Sequence, residues 1–344
     1  MVKGYSTPEG RSDQVVLEAN TNYWDKENPP RLRRVTFDNT LSQKKAVELV
    51  RTGEERVDLV TDLSPLDTLQ VAQSRFGKVV KNRKALASIF GQFNMRKPDS
   101  PWRDRRVRQA VNFAINRDDL ITYAAKGNGQ VIPGLLPLLS TGFAPELAPY
   151  PFDPEKARGL LTEARHAHGR ALQLIAPPGL EIEATVVSKM LEQVGFKVER
   201  LMLDPVTFSR KVYLAHLDQP AEQQTWDIAL WSWADPINFP LFEWFNSFAL
   251  GGAVDWVEEE PELRRLYDQA MSTVDQDRQR ALIRQMERHT HEQAYFLFLY
   301  NPVMLYATNK AVDFEPRATT NLLFKRTSVT AQHWSVRKGA AERK

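Results

Sequence analysis

Cysteine is absent from all 344 residues, which removes disulfides, thiol nucleophiles and cysteine-ligated zinc and leaves the redox compartment undetermined. Long apolar runs are missing as well, and none approaches the ~18 residues that a membrane helix needs. The first thirty residues lack the apolar core and cleavage site of a secretory signal, so no export address is expected in this chain. Neither sign of charge dominates. Lys and Arg number 46 and Asp and Glu 43, a net charge of +3 that implies no strong field for nucleic acid or a membrane surface. What is present, 42% hydrophobic and 26% charged residues, is enough to build a globular core. The length corresponds to two domains, or to one large domain with insertions.

Catalytic and cofactor motifs are scarce too. No G-x-S-x-G and no P-loop occurs. "GNGQVI" at 127–132 begins like a dinucleotide loop, lacks the third glycine and follows a helix instead of a strand. "HEQAY" at 291–295 begins like a zinc-protease motif but has Tyr295 where the second histidine belongs. His289 and His291 are two apart on a predicted helix and face different ways, as do His166 and His168. Six Arg and Lys in "RKPDSPWRDRRVRQ" are diluted by Asp99 and Asp104 and read as a solvated helix face. The expectation is a non-enzyme with no metal, no cofactor and no nucleic-acid partner.

The pattern of elements is clear over much of the chain. "DQVVLEAN" and "RRVTFD" read as strands separated by a turn at Asn28-Pro29-Pro30. "SQKKAVELVRTG" reads as a helix stopped by Gly53, and "ERVDLVTDL" as a returning strand, an order that predicts parallel neighbours. Asp104 caps a helix through "RRVRQAVNFAI", and Asn116, with Asp119 three residues on, caps the next. Asp153 caps "YPFDPEKARGLLTEARHAHG", with Pro154 in the first turn and Gly169 at its end. Strand "ALQLIAP", helix "EATVVSKMLEQVG" and strands "KVERLML" and "WDIALWSW" follow. Two helices, "PELRRLYDQAM" and "DQDRQRALIRQMERHTHEQ", then lead to the runs "YFLFLY" and "VMLYAT".

One stretch fits none of these elements. "WSWADPINFP", 231–240, sets a lone carboxylate, Asp235, after two tryptophans and before a proline. Trp231 and Trp233 alternate with Ser232, so both indoles project to one side, where they can wall a pocket or stack on a cation. The alternatives are that both tryptophans are core and that Asp235 forms a turn.

At "FGQFNMRKPDSPWRDRRVRQAVNFAINRDDL" the chain resembles the family 5 extracellular solute-binding proteins, the oligopeptide, dipeptide and nickel receptors of ABC importers. The resemblance is carried by Phe93-Asn94, by Val107-Arg108-Gln109-Ala110 and by Ala114-Ile115-Asn116-Arg117. "ANTNYWDKENPPRLRRVTFD", "LVRTGEERVDLV" and "YPFDPEKARGLLTEA" are similar to further family segments. The resemblance covers nearly the whole chain.

The resemblance implies an α/β fold of the two-lobe periplasmic-binding-protein type, class II, closing on ligand like a flytrap. Lobe I is expected from 1–88 with 305–344, and lobe II from 89–304, with hinge strands near "ASIFGQFN" and "LYNPVM". It implies that Asp235 binds the ligand's α-ammonium while the preceding backbone, at Trp231, Ser232, Trp233 and Ala234, pairs with a peptide main chain. Asn238, Phe93 and Asn94 complete the ligand-binding candidates, with hinge and core roles as the alternative for the last two. The partners implied are a peptide or other small solute and a membrane permease, for a monomeric, periplasmic or cell-surface receptor. A ligand-sensing domain outside transport is the second reading. Two departures stand out. Residue 1 falls well inside the family pattern, so lobe I is expected to be incomplete. The segment around Asp235 also carries one acid where peptide receptors often have a longer acidic turn.

Overall fold

Seven consecutive buried residues, Ala87–Phe93, form the strand around which the larger part of the molecule is built. Burial on both faces makes it a central strand, and apolar content without alternation is the sequence form of that position. The computed structural model describes residues 2–341 except 4–5, 8–9, 54–56, 166–170, 214–222, 249–251 and 258–259. The chain divides into two compact units, Met1–Arg83 with Met304–Lys344, and Lys84–Val303.

The larger unit carries a six-stranded sheet in the order Lys197–Met202, Ala171–Ala176, Ile228–Ala234, Ala87–Phe93, Phe296–Pro302, Gly129–Val131. The first three strands are mutually parallel and every later pairing is antiparallel. The helix Glu181–Gln193 makes the crossover that a parallel pair requires. Asp104, Asn116 and Asp153 each accept a backbone N–H of the first helical turn, as the sequence predicts. The core is aromatic. Phe93 stacks on Trp102 with centroids 4.6 Å apart, and Trp226 meets Trp256 edge-on at 4.7 Å. Arg108 of the Val-Arg-x-Ala motif is buried, its guanidinium donating to the carbonyls of Trp102, Arg103 and Gln293.

The smaller unit contains two three-stranded antiparallel sheets. One orders Val2–Lys3, Gln14–Glu18 and Arg34–Asp38; the other orders Leu59–Val60, Met304–Asn309 and Gly77–Asn82. Parallel neighbours, expected here from the strand-helix-strand order, do not occur among the described residues of this smaller unit. The physical reason is that Leu59–Val60 takes its partner from the far end of the chain. The helix Gln43–Thr52 therefore links two separate sheets instead of crossing over within one. Glu54 and Glu55 of the predicted strand entry, and Gly169 of the predicted helix end, lie outside the described residues.

Candidate functional site

Halfway along, the strand Ile228–Ala234 changes character. Ile228 to Trp231 are buried, Ser232 is exposed, and Trp233 and Ala234 are half-buried. Sheet geometry is the cause. On one side the strand pairs with Ala87–Phe93 along its whole length, ending with Ala234 opposite Ala87. On the other, the parallel ladder holds only Leu174 opposite Ile228 and Ile175 opposite Ala229. From Leu230 onward that edge has no strand beside it among the described residues. An edge of this kind can accept an extended chain by strand addition.

Asp235 closes that edge and is only 1% exposed. Its N–H donates to the Leu86 carbonyl at 2.8 Å, and its Oδ1 accepts the Ile237 N–H at 3.0 Å. The second bond is the Asx turn expected of an aspartate before a proline. Oδ2 is buried and has no hydrogen-bond partner among the described residues. A buried carboxylate oxygen without a donor is costly, and an ammonium group would supply both the donor and the opposite charge. The turn reading and the ligand reading thus use different oxygens of one side chain.

Around Asp235 the structure gathers groups that the sequence pattern did not single out. Glu243, on the helix Leu241–Ser247, is 2% exposed and accepts the Ser247 hydroxyl at 2.9 Å. Burial, with the charge of Asp235 adding to it, pushes the Glu243 carboxyl up to about 7. Tyr213 stands edge-on to Trp231 with centroids 5.3 Å apart; burial and the charge of Glu243 both raise its hydroxyl. Trp231 also packs on Phe90 at 5.6 Å, and its buried Nε1 has no partner among the described residues. A lone acid between Phe242 and Trp244 was the available signal for Glu243. Tyr213 had none, because only the fold brings it to Trp231.

The other candidates divide. Trp233 is half-buried against the core, and Ser232 is open to solvent. Asn238 takes a left-handed backbone, φ 53°, and its Oδ1 accepts the Thr141 N–H at 2.9 Å, fastening the turn to a neighbouring loop. Phe93 and Asn94 are not brought to Asp235 and take the hinge and core positions that were the other reading of them. Register decides this, since Phe93 lies opposite Ile228 whereas Asp235 follows Ala234 at the other end of the strand, roughly 20 Å away. Phe93 is core, and Asn94 binds the Trp226 carbonyl and the Arg96 N–H. His289 approaches Glu260 at 3.3 Å and the His291 ring bonds the Pro133 carbonyl, so the two serve separate contacts. His166 and His168 lie outside the described residues. Among the described residues no cluster of three or more His, Asp or Glu is placed to hold a metal ion.

Known proteins match this chain in sequence and in fold. The family described as "Bacterial extracellular solute-binding proteins, family 5 Middle" matches residues 6–253. A glutathione-binding protein of Pectobacterium atrosepticum is 30% identical over 202 residues, 56% of this chain and 37% of that protein. A probable di/tripeptide-binding protein of Pseudomonas aeruginosa is 25% identical over 313 residues, 88% of this chain and 56% of its own length. Among solved structures, the periplasmic binding protein DppA of Helicobacter pylori, bound to the peptide STSA, superposes with a TM-score of 0.79 at 19% identity. That match covers 95% of this chain and 62% of the other. The chain therefore spans about a third to three fifths of the length of these proteins.

Proposed function

Because the chain belongs to the bacterial extracellular solute-binding proteins of family 5, we propose that it holds a short peptide or similar small solute for an ABC permease. Its fold is the mixed α/β fold of the periplasmic binding proteins. The family consists of receptors that bind without turnover, and its members are periplasmic or extracellular. No helix among the described residues is long and apolar enough to cross a membrane. In this reading the protein is a monomer at the outer face of a membrane, and ligand shifts it toward the form that docks the permease. The observation that carries the proposal is the buried Oδ2 of Asp235, which among the described residues has no partner and stands at the end of a strand edge with no neighbour. An extended peptide adds along Leu230–Ala234 through its main chain, largely independent of its side chains, and its α-ammonium meets Asp235. The sensor reading has no observation of its own in its favour.

Two expected results test this. Asp235→Ala should weaken binding of short peptides about ten- to a hundredfold in calorimetry, the ~1.5–3 kcal/mol of a charged hydrogen bond. Acetylating the peptide's amine should cost a similar amount, and the two losses should not add, because they remove the same contact. Full additivity, or equal affinity of mutant and wild type, would place the ammonium elsewhere. The second result concerns Glu243, half protonated near pH 7. A cation arriving at Asp235 favours the charged form of Glu243, so peptide binding at pH 7 should release up to about half a proton. Calorimetry in buffers of different ionisation enthalpy reads that release, and Glu243→Gln should abolish it. A wild-type heat independent of buffer would show that the ligand's charge does not reach Glu243.

A further inference from the structure

Besides the Asp235 cluster, the larger unit contains a groove of about 410 Å³ between the loop at 138–145 and the helix Gln276–Glu292. Ser140, Thr141, Asn238, Arg280 and Arg284 supply its polar wall, and the exposed side chains of Leu138 and Leu139 its apolar one. Among the described residues no carboxylate lines it. We propose that this groove is a second binding site, for a small organic anion presenting carboxylate or phosphate oxygens.

The groove is built from fixed donors. Thr141 N–H is held by Asn238 Oδ1 at 2.9 Å, and among the described residues nothing accepts from the amide N–H groups of Asn238. Gly142 turns at φ +81°, and a Cβ there would run into Ile283, so the loop lies tight against the helix. The Nε of Arg284 donates to the Phe143 carbonyl at 3.1 Å, which pins the guanidinium against the loop. Its terminal nitrogens have no hydrogen-bond partner among the described residues. Arg280 gives one nitrogen to Asp277 at 2.8 Å, and Arg288, a further turn along, is taken by Glu146 at 2.5 Å. Arg280 and Arg284 are one helical turn apart, a like-charge spacing that is unfavourable until an anion bridges it. Ser140 gives an independent indication. It is 6% exposed, lines the groove, and its buried Oγ has no partner among the described residues. A buried hydroxyl without an acceptor calls for one, and a ligand in the groove would supply it. The two leucines give the anion's carbon skeleton an apolar wall.

The test is calorimetry on the whole chain with citrate and with inorganic phosphate, at constant ionic strength. At least one should bind saturably with a dissociation constant of about 1 mM or tighter. Which one binds separates carboxylate from phosphate recognition. Arg284→Gln should weaken it roughly tenfold, the effect of losing about 1.4 kcal/mol. Ser140→Ala should weaken it by a smaller factor without moving the melting temperature. Arg288→Gln, whose partner is Glu146, should change it less than about twofold. Absence of saturable binding by both anions up to about 10 mM overturns the proposal. So does equal affinity in the wild type and Arg284→Gln, which would leave an adventitious ion only.

Discussion

Replacing Arg117 by methionine is expected to leave residues 84–303 unable to hold their fold at ambient temperature. Arg117 closes the Ala-Ile-Asn-Arg motif, is 4% exposed, and spends its whole guanidinium on uncharged acceptors. Nε donates to the Phe298 carbonyl at 2.8 Å. Nη1 donates to the carbonyls of Asn112, Ile115 and Tyr150 at 3.1, 3.2 and 3.0 Å, and Nη2 to Asn112 Oδ1 at 3.0 Å. Burial pulls its pKa down to about 10, still well above neutrality, so the side chain remains a cation in the core. Asn112 is part of the same lock, since its Oδ1 also accepts the Phe298 N–H and its Nδ2 bonds the Phe296 carbonyl. One side chain thus ties two helices, the loop at Tyr150 and the strand Phe296–Pro302 together. Methionine fills similar space and supplies no donor. Stranding several buried acceptors at about 1–3 kcal/mol each consumes most of the ~5–15 kcal/mol that stabilises a domain. Arg117→Lys keeps the charge but not the planar fork, and should recover only part of the loss. Urea denaturation followed by far-UV circular dichroism checks this. An Arg117→Met protein with the wild-type midpoint would show that these bonds contribute nothing net.

That result bears on what could be read from the residues alone. The motifs that carry the family resemblance are frame residues. Arg108 and Arg117 hold carbonyls of the larger unit, and Asn116 caps a helix, accepting the Asp119 N–H while donating to its carboxylate at 2.8 Å. Such roles are local and repeat wherever the fold occurs, so they are legible in sequence. Helix starts at Asp104 and Asp153 are legible for the same reason, because a cap acts on its own first turn. Pairing across long separations is not local. The partner of Leu59–Val60 comes from 304–309, and no periodicity near residue 59 could indicate that. Register has the same origin. Phe93 adjoins the motif in sequence, yet antiparallel pairing puts it at the wrong end of the strand from Asp235. Glu243 was readable only as an acid in an apolar helix; its nearness to Asp235 is a product of the fold.

A second buried carboxylate sets how the stability of the larger unit should depend on pH. Glu287, on the helix Gln276–Glu292, is 1% exposed. Its Oε1 accepts the Leu136 N–H at 3.0 Å, Oε2 has no partner among the described residues, and Gly134 passes so close that no Cβ would fit there. Burial pushes its pKa up to about 7, against a value of 4.5 for the free side chain. Between those two values the folded protein binds more protons than the unfolded chain. Stability is therefore greatest below 4.5, falls as pH rises through the window to about 7, and levels off above it. At about 1.4 kcal/mol per unit, this one residue should cost about 2–3 kcal/mol at pH 8 relative to pH 4.5. Glu243, pushed up to about 7 by burial and by Asp235, acts in the same direction. The imidazole of His291, pushed down by burial, acts oppositely, adding stability as pH climbs to its ordinary 6.5. Carboxyls held low by cationic partners, such as Asp104 beside Arg106, lose their contribution only below 3.8. The difference between wild type and Glu287→Gln isolates the buried glutamate from all of these. Glutamine keeps the acceptor for Leu136 and removes the charge. Glu287→Gln should therefore match wild type near pH 5 and be more stable by about 1–3 kcal/mol at pH 8. Thermal denaturation at pH 5, 6, 7 and 8 measures this difference. Curves that run parallel at every pH would mean that Glu287 titrates at its ordinary value and that water reaches Oε2.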